Sequence, residues 1–117
     1  MAGKSVKKKP GCDMRGMLSF QILWLLSNRP MYGQELACEI ERRRGEKPNP
    51  GTIYPAIKEL SEGGLIRGRM EGRSTVYRLT GKGSSTLKAS LAYFERAYAD
   101  IFYSIPSVQR RMKEGRA

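Results

Sequence analysis

The stretch that decides the fold is NPGTIYPAIKELSEGGLIRGRMEGRSTVYRL, residues 49–79, in which the spacing of apolar residues changes from helical to extended. Asn49 followed by Pro50 is typical of a helix N-cap and the first position of a helix. Apolar residues then recur at helical spacing as far as a glycine pair that is typical of a helix stop. The positions expected to face inward are Ile53, Ile57 and Leu60. This half of the stretch therefore predicts a helix that ends near Glu62.

The second half of the stretch predicts a β-hairpin. In IRGRM, residues 66–70, apolar and charged residues alternate with the period of a strand. A turn at residues 71–74 leads to TVYRL, residues 75–79, which is rich in residues that favour strands. One face of the hairpin is predicted to carry Ile66, Met70, Tyr77 and Leu79, and the opposite face Arg67, Arg69 and Arg78.

Upstream, GMLSFQILWLLSN at residues 16–28 predicts a helix that is apolar on two sides. At helical spacing, one face carries Leu18, Ile22, Leu25 and Leu26, and the other Met17, Phe20 and Trp24. Because a domain this small can hardly bury both faces by itself, the pattern indicates a partner subunit.

Arg29-Pro30 ends this helix, because proline cannot extend it and restricts the residue before it. The next helix is predicted over Met31–Arg44. Its expected inward positions are Leu36, Ala37 and Ile40. Its last turn carries Arg42, Arg43 and Arg44, for which two interpretations stay open: cations that complement the helix dipole, or contacts to phosphate.

The longest helix is predicted from Gly81 to about Tyr103, with Thr80 as its cap. Its apolar positions follow the heptad spacing of a helix that packs on another helix: Leu87, Leu91, Phe94, Tyr98 and Ile101. Three short helices, a basic hairpin and this last helix together predict an α+β, mostly helical fold. The order of elements is that of a winged helix-turn-helix with a C-terminal dimerisation helix.

The predicted organisation has four parts: a basic flexible arm over residues 1–15, the winged helix-turn-helix domain over 16–80, the dimerisation helix over 81–104 and a basic tail over 105–117. The formal net charge of +11 lies entirely in the arm, the tail and the segment 66–82. A positive charge of this size suits a polyanionic partner. The charged segment 66–82 coincides with the predicted hairpin.

Several other classes of function are disfavoured by the composition. The chain has no histidine and two cysteines, Cys12 and Cys38, so we expect no metal site, no cofactor and no disulfide framework. The run GKGS at residues 81–84 superficially resembles a phosphate-binding loop, but Val76 stands where that motif requires its first glycine. We therefore expect no enzyme activity. Without a long apolar run or a secretory signal, the expected location is the cytoplasm.

In a winged helix-turn-helix, the second helix of the motif enters the major groove of DNA. The side chains able to reach base edges from it are Asn49, Thr52, Tyr54 and Lys58. On the preceding helix and the hairpin, the candidate DNA contacts are Tyr32, Arg67, Arg69, Arg73 and Arg78. Structural alternatives stay open, because Tyr54 could pack against the preceding helix, and Lys58 and the arginines could form a solvated surface.

Three segments of the chain resemble the PadR family of transcriptional regulators. They are LSFQILWLLSNRPMYGQEL at residues 18–36, GTIYPAIKELSEGGLI at 51–66 and YRLTGKG at 77–83. The resemblance covers roughly residues 17–103 and implies a homodimeric repressor whose C-terminal helix packs on the first helix of its partner. With one helix after the hairpin, the sequence resembles the short subgroup of the family.

The residues assigned to dimerisation are Met17, Phe20, Trp24, Leu87, Leu91, Phe94, Tyr98 and Ile101. Several family members are released from DNA by small aromatic compounds, and the candidate pocket for such a ligand consists of Trp24, Tyr93, Phe94, Tyr98 and Phe102. An aromatic stripe at this spacing is also typical of a helix–helix core, so both interpretations stay open. Two further functions compete with a specific repressor: a non-specific architectural nucleic-acid-binding protein, and a winged helix that binds only proteins. Binding to a membrane surface through the Lys-rich arm is disfavoured, because the arm lacks apolar or lipidation partners.

Overall fold

A computed structural model describes residues 14–104, with side chains from residue 17 onward. The elements in chain order are α1 Met14–Asn28, β1 Met31–Tyr32, α2 Gly33–Arg44, α3 Pro50–Glu62, β2 Ile66–Glu71, β3 Ser74–Leu79 and α4 Gly81–Tyr103. This is the predicted α+β, mostly helical winged helix with a C-terminal helix. Residues 1–13, which make up most of the predicted basic arm, and the predicted basic tail at 105–117 lie outside the described residues.

The first helix, α1, begins at Met14, two residues before the predicted start, and ends at Asn28 as Arg29-Pro30 requires. Its predicted core face is confirmed, because Leu18, Ile22, Leu25 and Leu26 are all buried, and Leu23 is buried with them. On the second face, Met17 keeps 42% and Trp24 keeps 37% of its surface exposed. The third residue of this face, Phe20, is half-buried and packs against the core, so the second face of α1 is only partly exposed.

The prediction that the second helix starts at Met31 was wrong. Met31 and Tyr32 form a short strand that pairs with β3, with Met31 opposite Tyr77 and Tyr32 opposite Val76. Tyr32 has an extended backbone, and its N–H donates to the Glu35 carboxylate at 2.9 Å, which satisfies a donor at the start of α2. The same bond, followed by the nearby Arg29 guanidinium, holds the pKa of Glu35 below its usual range. Helix α2 consequently begins at Gly33, and the sheet has three strands.

The helix α3 follows its predicted signals closely. The Asn49 side-chain oxygen accepts from the Gly51 N–H at 2.8 Å, which makes Asn49 the N-cap. Gly64, with a φ of 78°, lies just beyond the last turn, where a left-handed residue ends the helix. The buried positions of α3 are Ile53, Ala56, Ile57 and Leu60, and they join α1 and α2 in one apolar core. The inward residues predicted for α2, Leu36, Ala37 and Ile40, are confirmed as well.

The hairpin of β2 and β3 has the predicted two faces. Arg67 pairs with Arg78 across the strands and Gly68 with Tyr77, so the arginines share one face and Ile66, Met70, Tyr77 and Leu79 the other. Met70 is nonetheless 64% exposed, because it lies next to the turn and beyond the part of the sheet that meets the core. A Cβ on Gly68 would lie 2.9 Å from the Tyr77 ring, so this ring lies across the glycine. The sheet order is β1-β3-β2, which leaves β2 at an edge.

The chain divides into two compact units after Leu87, and the last helix, α4, contributes residues to each. In the first unit, Gly83 and Leu87 of α4 are buried. In the second unit, Tyr93, Phe94 and Tyr98 form an aromatic cluster with ring centroids 5.5–6.3 Å apart. Over residues 14–104, none of the helices has the length and apolarity needed to cross a membrane.

Candidate nucleic-acid interface

The exposed side of α3 carries most of the side chains predicted to reach bases. Tyr54 and Lys58 are exposed one helical turn apart, and Thr52 is half-buried. Asn49 is exposed, but its side-chain oxygen already accepts the Gly51 N–H. A bidentate contact between Asn49 and adenine would have to share that oxygen, so its first role in the structure is to cap α3.

Tyr54 also has a contact inside the protein. A Cβ placed on Gly33 would lie 3.3 Å from Tyr54 Cε1, so the ring packs closely on the first residue of α2. The ring nevertheless stays 47% exposed. The structural alternative and the binding role are therefore compatible, because one edge of the ring packs on α2 while the rest lies at the surface.

A cleft of about 350 Å³ lies where the start of α2, the helix α3 and the strand β3 meet. Its lining is rich in hydroxyl and amide groups and consists of Tyr32, Gly33, Gln34, Glu35, Tyr54, Ser74, Thr75 and Tyr77. The sequence predicted two of these residues, Tyr32 and Tyr54, as DNA contacts. Gln34, Ser74, Thr75 and Tyr77 were missed, because only the pairing of β1 with β3 brings them to the same place.

The arginines of the hairpin are all exposed. Arg78 lies 3.6 Å from the Glu71 carboxylate. Arg67, Arg69 and Arg73 have no acidic partner among residues 17–104. The hairpin therefore presents three unpaired guanidinium groups beside one paired group, next to the cleft that Ser74 and Thr75 line.

The arginine triplet at the end of α2 is engaged differently. Arg42 and Arg43 donate to the Glu39 carboxylate at 2.5 and 2.6 Å, and these bonds lower the pKa of Glu39 to about 2. The Arg43 guanidinium also lies 5.2 Å from the centre of the Trp24 ring, and Arg44 Nε donates to Gln21 Oε1 at 3.0 Å. These contacts favour a structural role for the triplet over a role in binding phosphate.

The residues predicted for an effector pocket fall in both units. Tyr93, Phe94 and Tyr98 contact one another along α4, Phe102 is exposed on the same helix, and the Trp24 ring on α1 is covered on one side by Arg43. A separate cavity of about 510 Å³ lies along the second face of α1, lined by Met17, Phe20, Gln21, Arg44 and Glu46. Among the side chains that the structure describes, no group of acidic or cysteine residues is arranged to hold a metal ion.

Comparison with known families agrees with this arrangement. The sequence profile of the transcriptional regulator PadR-like family matches residues 22–89, which is more than half of the chain. The chain belongs to this family. PadR-like proteins are DNA-binding transcriptional regulators rather than enzymes, so the expected family, the DNA-binding class and the lack of enzyme activity are confirmed.

Solved structures place the same fold in several organisms. A transcriptional regulator from Clostridium thermocellum is 29% identical, with a TM-score of 0.68 over 75% of this chain and 92% of that one. A putative transcriptional regulator from Thermoplasma acidophilum is 28% identical, with a TM-score of 0.64 over 79% and 95%. A PadR-like transcription factor from Bacteroides fragilis is 25% identical, with a TM-score of 0.65 over 79% and 93%. No curated protein matches the sequence.

Proposed function

We propose that this PadR-like protein is a homodimeric repressor that recognises a pseudo-palindromic DNA operator. In this proposal α3 enters the major groove, and the β2–β3 hairpin binds the flanking backbone. The observation that carries the proposal is the juxtaposition of the exposed Tyr54 and Lys58, the hydroxyl-lined cleft and the unpaired hairpin arginines.

The chemistry of this surface suits a sugar-phosphate backbone. Tyr32 and Ser74 offer hydroxyl donors along the cleft, whereas the Thr75 hydroxyl already donates to Met70 Sδ at 3.3 Å. Neutral donors fix the register of a protein on DNA. Arg67, Arg69 and Arg73 add charge that is not paired with any acidic residue in the part of the chain with described side chains, residues 17–104. In this proposal the guanidinium groups supply most of the salt-dependent affinity, and Lys58 and Thr52 on α3 contact bases.

Dimerisation is supported by two apolar surfaces. On α4, Leu91 is 44% and Ile101 is 56% exposed, at positions that share the heptad spacing. On α1, Met17 and Trp24 stay partly exposed on the face that the core leaves free. Because exposed apolar stripes of this kind mark interaction surfaces, a second copy of the chain is the proposed occupant of both.

A small aromatic effector is a second element of the proposal. It is supported by the Tyr93, Phe94 and Tyr98 cluster, since aromatic surfaces bind flat ligands by stacking. Titration with planar aromatic compounds should change both the fluorescence of Trp24 and the DNA affinity. If neither changes, the effector is excluded and the repressor proposal stands without it.

The DNA-binding proposal is tested by the double variant Arg67→Ala, Arg69→Ala. We expect the parent protein to bind its own upstream region at least ~10³-fold more tightly than random duplex. The variant should bind both duplexes more weakly, and each lost phosphate contact should reduce the slope of log K against log salt by about one. Fluorescence anisotropy at several salt concentrations measures all of these quantities.

The matched control is Lys88→Ala, Arg96→Ala, which removes two exposed cations of α4 and should leave DNA affinity near the parent value. Equal affinity of the parent protein for both duplexes would instead indicate an architectural DNA-binding protein. An Arg67, Arg69 variant that binds as well as its parent would exclude the hairpin as a DNA contact.

A further inference from the structure

The TGKG segment at residues 80–83 has no part in the proposed DNA contacts, yet it makes a dense set of hydrogen bonds. Thr80 Oγ1 lies 2.6 Å from the Gly64 carbonyl oxygen and 3.0 Å from that of Leu65, so its hydrogen is available to either. The same oxygen accepts from the Gly83 N–H at 3.0 Å. One hydroxyl group therefore caps the start of α4 and binds the chain just after α3.

Two further bonds and one close approach join the same segments. Lys82 Nζ donates to the Gly63 carbonyl at 2.9 Å, and the Thr80 N–H donates to the Leu65 carbonyl at 3.1 Å. A Cβ on Gly83 would lie 2.0 Å from the Leu65 oxygen, so only glycine fits at this position. We call residues 63–65 together with residues 80–83 the clasp.

The clasp satisfies carbonyl groups in the turn that follows α3. Carbonyl groups in the last turn of α3 accept from the N–H groups of Gly63, Gly64 and Leu65, so the carbonyls of these three residues need partners outside the helix. Here three consecutive carbonyls, those of Gly63, Gly64 and Leu65, are bound by Thr80 and Lys82 at the start of α4. The end of α3 and the first turn of α4 are consequently held together as one piece.

We infer that Thr80 is a positioning residue, which fixes α3, the helix proposed to enter the major groove, to the first turn of α4. It thereby sets the spacing between operator half-sites that a dimer can bind. This inference rests on the proposed function, because it needs two copies on one operator. In such a dimer, α4 carries the apolar stripe and α3 carries the side chains that enter the groove. The clasp is the direct hydrogen-bonded connection between these two elements.

None of the clasp residues is among the proposed DNA contacts, so we expect the clasp to affect half-site spacing and not the reading of bases. Inserting one base pair moves one half-site by about 3.4 Å and rotates it by about a tenth of a turn. A firmly held α3 cannot follow this displacement, whereas an α3 that is free to shift can. Loss of the clasp should therefore reduce discrimination between correctly and wrongly spaced operators while the dimer persists.

The test compares Thr80→Val with Thr80→Ser. Valine keeps the branched shape without the hydroxyl, and serine keeps the hydroxyl. Affinity is measured by anisotropy for the natural operator and for operators with one central base pair inserted or removed, and dimer mass by sedimentation. We expect the parent to prefer the natural spacing by at least ~10-fold, since a displaced half-site loses base contacts worth ~1–3 kcal/mol each. Thr80→Val should retain less than about a third of this preference at unchanged dimer mass.

Serine should restore the preference, and Thr86→Val, the same chemical change elsewhere in α4, should leave it intact. If Thr80→Val forms dimers and discriminates as its parent does, the inference is overturned. Should Thr80→Val fail to fold, Thr80→Ala removes the same hydroxyl group in a smaller side chain, and an unchanged preference in that variant overturns the inference as well. If the parent protein binds all duplexes equally, the proposed function itself is refuted. If the parent and the variant show the same preference for the natural spacing, only the inference about Thr80 is refuted.

Discussion

Glu71 is the one acidic residue in the hairpin sequence 66–79, and it lies on the face that carries the arginines. If the hairpin binds the DNA backbone as proposed, this carboxylate, 3.6 Å from Arg78, competes with phosphate for that guanidinium and also repels the backbone. We expect Glu71→Gln to raise affinity for random duplex about two- to fivefold, since exposed ion pairs are worth roughly 0.2–1 kcal/mol. Anisotropy titrations at low and high salt measure this change.

Glu95→Gln on α4 is the matched control, because it removes an exposed acid far along the sequence from the hairpin. It should change affinity less than Glu71→Gln. In an Arg78→Gln background, the gain from Glu71→Gln should shrink, since the ion pair is already absent. Identical gains in both backgrounds would show that Glu71 acts through overall charge and not through Arg78.

For individual residues, the sequence predicted the face on which a side chain lies when that side chain belongs to a periodic pattern. The arginines of the hairpin were found because alternation with Ile66 and Met70 places them on one face. Gln34, Ser74 and Thr75 were missed because each is an ordinary polar residue within its own element. Only the strand register shows that they line one cleft.

Among the elements, the first turn of α4 lies unusually close to the backbone that follows α3, with Gly83 next to the Leu65 carbonyl. Gly83→Ala would place a methyl group 2.0 Å from the Leu65 carbonyl oxygen, so backbone must move. We expect this substitution to lower the free energy of unfolding by about 1–3 kcal/mol, as overpacking does. Urea denaturation followed by circular dichroism measures the loss.

Gly81→Ala serves as the comparison, because a Cβ there meets nothing within 4 Å. Alanine is the better helix former, so Gly81→Ala should be neutral or stabilising by up to ~1 kcal/mol. Equal effects at the two positions would mean that helix propensity, and not the contact with Leu65, governs the start of α4.

The helices were predictable because each has apolar residues at helical spacing and a signal at one end, such as the Asn49 N-cap or the Arg29-Pro30 stop. The strand β1 was not, because two residues are too short to show any alternation. Met31 and Tyr32 are extended through their partners in β3, which lie more than forty residues further along the chain. A tertiary contact of this kind overrides local preference.

For the whole molecule, the strongest expectation concerns the dimer. Leu91→Glu would place a charge in the centre of the apolar stripe of α4, where the proposed partner covers it. We expect the dissociation constant of the dimer to rise about 100-fold, since burying an unpaired charge costs about 3 kcal/mol or more. Analytical ultracentrifugation over a range of concentrations measures the shift.

Ala89→Glu adds the same charge to the opposite side of α4, away from the heptad positions, and should leave the dimer intact. Both variants should keep the circular dichroism of the parent, since position 91 is exposed within one chain. A Leu91→Glu protein that stays dimeric at micromolar concentration would place the interface elsewhere. The sequence predicts a partner because α1 is apolar on two sides, but it does not predict the geometry in which two copies would meet.

The position of β2 at the edge of the sheet has a consequence for how the protein behaves in solution. Half of the backbone groups of an edge strand point away from the sheet and invite another strand to pair with them. Here such pairing would bring the arginines of two chains within about 5 Å of each other, and their repulsion opposes aggregation. Concentrated salt weakens this repulsion while it also frees the protein from DNA. Purification at high ionic strength therefore weakens the repulsion between arginines and also removes bound DNA. We expect this edge to be least prone to pairing at moderate salt with a duplex bound.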